Sequence, residues 1–186
     1  MSEPFVLVAA ISKNLGIGKE GTLPWKLPKE LAYFRKVTSA GTQQNTLIMG
    51  KNTWLSLPKR PLPNRKNIVV SSTLEQTEGF QVCRSLREAL NYSVGIPFII
   101  GGYSLYKEAL SPPCVSGCGQ VYLTRIHSDF ECDVFFPIGE EELVPGFYKQ
   151  FESEIFSEES LNYHYEVYQN SELPQKPLLI NFQELS

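Results

Sequence analysis

The chain has 186 residues, a formal net charge of -3, 42% hydrophobic and 20% charged residues. That length suits one domain and that balance a globular rather than a disordered chain, while no apolar run nears the ~20 residues of a membrane span. One short apolar run near the start, Phe5 to Ile11, has no basic stretch ahead of it, which argues against a signal peptide and for a cytoplasmic protein. Cys114 and Cys118 are close, but His127 and His164 complete no zinc spacing with them, so the four cysteines read as reduced thiols and no metal is expected.

In chain order, Phe5–Ile11 reads as a buried strand, Leu15–Trp25 as a Gly/Pro loop, and Pro28 opens a helix to about Val37. Thr46–Met49 is a second strand, turned by Gly50 into a helix over Lys51–Leu57. A Pro-rich basic loop, Lys59–Lys66, leads to a strand at Asn67–Ser71. Gln81–Cys83 is a brief strand, and Ser85 with Glu88 has capping-box spacing ahead of a helix to about Tyr92. Pro97–Ile100 is a strand, Gly101-Gly102 a turn, and Tyr103–Leu110 a helix. Gln120–Ile126, Gln150–Phe156 and Asn162–Gln169 read as strands, the last two as a hairpin. Glu140–Glu142 reads as a solvated loop.

This alternation predicts an α/β domain. A central, mostly parallel twisted sheet carries helices on both faces and ends in an antiparallel C-terminal hairpin edge, with ligands at the carboxyl ends of the strands. Residues 1–170 form the domain, and 171–186 are an extension without an assigned role. Charge is uneven: residues 1–93 carry 13 Lys/Arg and 6 Asp/Glu, a net of +7, and residues 94–186 carry 4 and 14, a net of -10. The basic residues are scattered singly, which suits a small polyanion better than a nucleic acid.

Gly16-Ile-Gly18-Lys-Glu-Gly21 matches G-x-G-x-x-G, but Pro24 and Pro28 forbid the helix that a dinucleotide fingerprint needs, leaving a flexible, lid-like loop. On a helical wheel Leu27, Leu31, Phe34 and Val37 share one arc, and Glu30 falls inside it. A carboxylate there needs a partner, and a planar pair of N–H donors on a flat heterocycle is the best one. The turns at Gly50-Lys51-Asn52-Thr53 and at Gly101-Gly102-Tyr103-Ser104 suit phosphate, with Arg84 ahead of the capped helix. Arg65, behind Arg60-Pro-Leu-Pro-Asn64, presents a planar fork for a carboxylate.

These segments together resemble the dihydrofolate reductase family in its eukaryotic branch. The matching stretches are Val8-Ala-Ala-Ile-Ser12, Leu15-Gly-Ile-Gly18, Leu23-Pro-Trp25, Glu30 with Tyr33-Phe34, Ile48-Met-Gly-Lys-Asn-Thr-Trp54, Arg60-Pro-Leu62, Arg65, Ile99-Ile-Gly-Gly102 with Tyr106, Leu123-Thr-Arg-Ile126, and Asp133 with Phe135-Phe-Pro137. The resemblance implies NADPH-dependent reduction of 7,8-dihydrofolate to tetrahydrofolate in one-carbon metabolism, antifolates as inhibitors, and a monomer.

By the same resemblance Glu30 is catalytic with Leu23 and Trp25. Val8, Ala9, Leu31, Phe34, Leu57, Leu62, Arg65, Ile100, Tyr106 and Thr124 line the substrate, Arg65 on its glutamate carboxylate. For the cofactor it implies Ala10, Ile17 and Ile100 about the nicotinamide, Gly18, and Gly50, Lys51, Asn52 and Thr53. Ser71, Ser72 and Arg84 follow, and then Gly101 and Gly102 through a cis peptide with Tyr103, Ser104, Leu105 and Tyr106. The proton for N5 comes from water beside the Leu15–Leu23 loop. Departures are Ser72 where animal members usually carry Arg, Thr22 where they carry an acid, a segment one residue shorter at Lys26-Leu-Pro28, and the tail. A pyrimidine reductase of riboflavin synthesis and a non-catalytic nucleotide-binding module are the competing readings; the pairing of Glu30 and Phe34 with Arg65 speaks against the first, and the second would keep the phosphate turns but need no buried Glu30.

Overall fold

Short apolar runs containing β-branched residues, such as Phe5–Ile11 and Ile68–Val70, can be buried on both faces, which places them inside a parallel sheet. A computed structural model describes residues 3–137 and 144–185. The elements are β1 (Phe5–Ile11), β2 (Gly16–Gly18), α1 (Pro28–Thr38), β3 (Thr46–Gly50), α2 (Lys51–Ser56), β4 (Lys66–Val70), β5 (Gln81–Cys83), α3 (Leu86–Asn91), β6 (Pro97–Ile99), α4 (Tyr103–Ala109), β7 (Cys118–Ile126), β8 (Val134–Phe135), β9 (Phe147–Glu152), β10 (Phe156–Glu158) and β11 (Leu161–Asn170). The main sheet runs β10-β11-β7-β1-β6-β3-β4-β5, with β9 also paired to β11. Pairing is parallel from β7 through β5 and antiparallel where β11 meets β7, β9 and β10.

Strand alternation divides the core in two. Leu7, Ile48, Ile68, Ile99 and Leu123 face α3 and α4, whereas Val8, Leu47, Met49, Val69 and Tyr122 face Tyr33 and Val37 of α1. Because β1, β3, β4, β5 and β6 all run the same way, their carboxyl ends gather at one edge of the sheet. That edge carries the candidate site.

Three expectations are corrected. The Gly-rich segment is not only loop: Gly16–Gly18 pairs antiparallel with Val134–Phe135. The strand expected over Gln150–Phe156 is broken, because Tyr165 donates its N–H to the Ser153 hydroxyl (2.8 Å) while Ser153 N–H reaches Tyr165 O (2.8 Å); β9 and β10 therefore share β11 as separate pieces. The buried line of α1 is Glu30, Tyr33 and Val37, continued by Leu27 at its N-cap, whereas Leu31 is 53% exposed and Phe34 half-buried. Glu140–Glu142 lies outside the described residues.

The capping box at Ser85 forms with a variation: Ser85 Oγ accepts from Glu88 N–H (3.1 Å), but the Glu88 carboxylate takes the N–H of Arg84 (2.7 Å). On the antiparallel half, buried Glu166 meets Arg125 (3.2 Å), Lys149 (3.0 Å) and His164 (3.2 Å). Glu152, His164 and Glu166 are the metal-type cluster found among the described residues, and the Lys149 ammonium already lies against both carboxylates, at 2.9 Å from Glu152. His127 and His164, 37 residues apart, meet nitrogen to nitrogen at 2.6 Å.

Candidate functional site

Glu30 is the third residue of α1, where a carboxylate ordinarily caps its own helix. Here another residue does that work. The Glu158 carboxylate of β10 accepts the Lys29 N–H at 2.8 and 3.0 Å. Glu30 turns inward, 7% exposed, and accepts a hydrogen bond from Thr124 Oγ1 of β7 at 3.0 Å. Thr124 is the register partner of Ala10, near the carboxyl end of β1. Burial pushes the Glu30 carboxyl up to about 7, against the opposing pull of the Thr124 hydroxyl, with Glu158 adding repulsion. Thr124→Val removes that donor and is expected to raise the carboxyl further, by about 0.7 pH unit for ~1 kcal/mol of lost hydrogen bonding, as a pH titration of activity would show.

Arg65 is 6% exposed despite its place in a Pro-rich loop. Its Nε donates to Pro63 O (3.0 Å) and its Nη1 to Thr38 Oγ1 (2.8 Å), which fixes the guanidinium plane and leaves Nη2 without a partner among the described residues. No carboxylate of the described residues pairs with it. Burial and the nearby Arg35 lower its basicity, so an arriving carboxylate would be stabilising. The adjoining Leu62 is held by Asn67, whose side chain accepts Leu62 N–H (2.9 Å) and donates to Leu62 O (2.8 Å).

At the strand ends, Gly50 N–H donates to Gly101 O (2.8 Å), and Gly101 joins Gly102 through a cis peptide. Gly101 has φ +130°, a conformation L side chains rarely adopt, and a Cβ there would crowd Thr53 Oγ1 at 3.3 Å and meet Tyr106 Oη at 3.4 Å. Tyr106 Oη is anchored on Val8 O (2.8 Å). Unlike α3, neither α2 nor α4 has a side-chain cap. Lys51 Nζ lies 3.2 Å from Thr73 Oγ1, and Arg84 Nη1 donates to Ser71 O (2.8 Å) and Leu74 O (2.7 Å). Two cations thus flank the 71–74 loop, as a phosphate-bearing ligand requires.

Ser71 directs its hydroxyl to Thr73 and Leu74 N–H and is buried, whereas Ser72, Asn52, Tyr103 and Ser104 are exposed. Ala10, Ile17, Gly18, Leu57 and Ile100 are half-buried; Val8, Ala9 and Leu105 belong to the core. Leu23 is 47% exposed, and Trp25 is buried against Phe130 with an indole N–H lacking a protein acceptor.

Sequence reasoning missed Thr38, Thr73, Asn67 and Glu158. Their partners lie across the fold or in turns, and no pattern marked a lone Thr, Asn or Glu for such duty.

A sunken carboxylate for a flat heterocycle and cations for phosphates, set along one edge of a parallel sheet, are the working parts of an oxidoreductase that brings a dinucleotide to a heterocyclic substrate. Comparison with known proteins narrows this. The family model described as "Dihydrofolate reductase" matches residues 4–170. The dihydrofolate reductase of Heliothis virescens is 39% identical over 185 residues, covering 87% of this chain and 95% of the relative. That of Mus musculus is 37% identical over 191 residues, covering 92% and 100%. The bifunctional dihydrofolate reductase-thymidylate synthase of Daucus carota is 37% identical over 79% of this chain, which spans 30% of that longer protein. The chain belongs to the dihydrofolate reductase family, NADPH-dependent oxidoreductases whose substrate is dihydrofolate. No described helix is long and apolar enough to cross a membrane.

Proposed function

We propose that this site reduces 7,8-dihydrofolate to tetrahydrofolate through the anion of Glu30, and the observation that carries the reading is the inward turn of that carboxylate onto Thr124. Its two oxygens face a planar pair of N–H donors, as on the aminopyrimidine edge of a pterin. Phe34, Leu57 and Leu62 give half-buried apolar walls, and Arg65 offers its remaining N–H groups to the substrate's glutamate carboxylate.

The glycine cradle and the cations Lys51 and Arg84 fit a phosphorylated dinucleotide. NADPH, when bound, supplies the hydride for C6 of the pterin. Ala10, Ile17 and Ile100 shield that face from water. Glu30 sits at the far edge of the ring from N5, so it orients the ring and stabilises positive charge there, and the N5 proton comes from solvent beside the Leu15–Leu23 segment. The buried indole N–H of Trp25 is a donor suited to an ordered water in that neighbourhood. The protein acts as a cytoplasmic monomer in this reading.

The decisive assay follows NADPH oxidation with and without dihydrofolate, on wild type and Glu30→Ala in parallel. Oxidation that does not depend on dihydrofolate, or that survives the substitution undiminished, overturns the reading. Gly101→Ala tests the cradle. Ala tolerates φ +130° poorly, at ~1–3 kcal/mol, so the NADPH dissociation constant in a fluorescence titration is expected to rise about tenfold or more.

A further inference from the structure

The family match ends at residue 170, yet the chain continues, ordered against the domain, through Leu185. We infer that residues 171–185 form a strap that positions Glu30 for substrate by gripping both the helix that carries it and the strand that carries its partner Thr124, with Phe182 as the principal positioning residue.

The strap first follows the sheet edge. Lys176 O accepts from Gln150 Nε2 (2.8 Å) and Gln120 Nε2 (3.2 Å), and Lys176 N–H donates to Gln169 Oε1 (3.1 Å). Leu179 N–H then donates to the hydroxyl of fully buried Tyr122 at 2.9 Å. Tyr122 lies two residues before Thr124 on β7, so both side chains point to the α1 side of the sheet.

Beyond that bond, Asn181 caps a single 3-10 turn, Phe182–Glu184, and Phe182 is 6% exposed. Its ring lies 4.5 Å from Phe151, 5.8 Å from Tyr165 and 5.9 Å from Tyr33, while Tyr33 packs on Tyr165 at 3.9 Å. Tyr33 is one helical turn past Glu30 on the same buried line of α1, and its hydroxyl is buried without a protein partner. Lys36 and Glu184 add a surface pair at 3.4 Å, which is worth little. The grip therefore rests on one aromatic ring wedged against α1 and one backbone N–H hydrogen-bonded to β7, not on the ion pair. Both sides of the Glu30–Thr124 bond are held by the same short segment.

If the strap loosens, α1 gains freedom and water reaches the Tyr33 side of Glu30. The groups facing Glu30 are Thr124 and Glu158 from β7 and β10, Tyr33 on its own helix, Tyr106 on α4, and Tyr163 and Tyr165 on β11. None of them is removed by cutting the strap, so a change in Glu30 titration would report hydration and placement rather than a lost charge.

The inference rests on Glu30 being the substrate-binding carboxylate, and the test separates the two. Full-length protein, a chain ending at Asn170, and Phe182→Ala, Phe182→Leu and Tyr122→Phe variants are assayed for KM, kcat, NADPH affinity and the pH dependence of kcat/KM. The truncated chain and Phe182→Ala are expected to raise KM for dihydrofolate about tenfold, with kcat within about twofold and NADPH affinity unchanged. They are also expected to move the break in the pH profile to lower pH by about half a unit, and Phe182→Leu to restore most of both. Where Phe182→Ala or the truncated chain is too unstable to assay, Tyr122→Phe and Phe182→Leu decide by the same two readouts, with smaller shifts in the same direction. A lowered melting temperature with KM and the pH break unmoved overturns the strap. A wild type with no break near neutrality overturns the Glu30 reading itself.

Discussion

Glu30→Gln is expected to lower kcat/KM for dihydrofolate at pH 7 by about 100-fold or more and to change the shape of its pH profile. Proton counting gives the shape. The reacting complex carries one proton beyond the Glu30 anion and neutral substrate, because N5 must be protonated. Burial pushes the Glu30 carboxyl up to about 7, so below that pH the free enzyme carries one proton there and matches the proton count of the reacting complex, even though N5 itself is protonated from solvent. Wild-type kcat/KM is therefore flat below that pH; above it, kcat/KM falls about tenfold per pH unit. The Gln variant has no such reservoir, so its kcat/KM falls with rising pH across the whole range from about pH 5. A variant profile that keeps a plateau to pH 7 would assign the proton to another group.

The same substitution should stabilise the fold. The Glu30 carboxyl is raised in the folded state, so the stability it permits is complete below the ordinary carboxylate range (~4.3) and declines as pH rises toward about 7. The penalty at and above neutrality is on the order of 3 kcal/mol, and Gln removes the charge without removing the side chain. Urea unfolding at pH 8 should therefore show Glu30→Gln more stable than wild type, with the difference disappearing near pH 4. A more stable and nearly inactive enzyme separates a functional carboxylate from a structural one.

Arg65→Lys is the second large effect. The guanidinium is buried and held by Pro63 O and Thr38 Oγ1, and a lysine can reproduce neither the fork nor both anchors. Loss of a bidentate carboxylate contact is worth ~2 kcal/mol, so KM for dihydrofolate should rise about 30-fold, with kcat within roughly threefold. A pterin substrate lacking the glutamate should bind wild type and variant alike. If the variant loses equally on both substrates, Arg65 serves the loop rather than the ligand.

Much of this was legible in the sequence. Strand runs such as Thr46–Met49, alternating with helices behind turn glycines at 50, 101 and 102, point to a parallel sheet and its ligand edge. Glu30 stood out because a charge at an apolar helix position is costly. What was illegible depends on distant partners. The wheel put Leu31 in the buried arc because it cannot say which flank of α1 meets the sheet; Tyr33, packed on Tyr165, takes that place. The burial of Arg65 follows from Thr38, 27 residues away, and the cap on α1 from Glu158, 129 residues beyond Lys29. Nor could composition show that an ordinary-looking tail would bury Phe182 among three aromatic rings.

The hydrogen bond from Thr124 to Glu30 spans 94 residues, and β1 is completed only when β6 and then β7 have settled on its two sides. Such a chain closes long loops before it gains the contacts that reward them, so it should fold slowly for its size. During synthesis the clamp cannot exist until β7 has left the ribosome, and a partly made chain must wait with its first strand unpaired, the stage at which it is most exposed to aggregation.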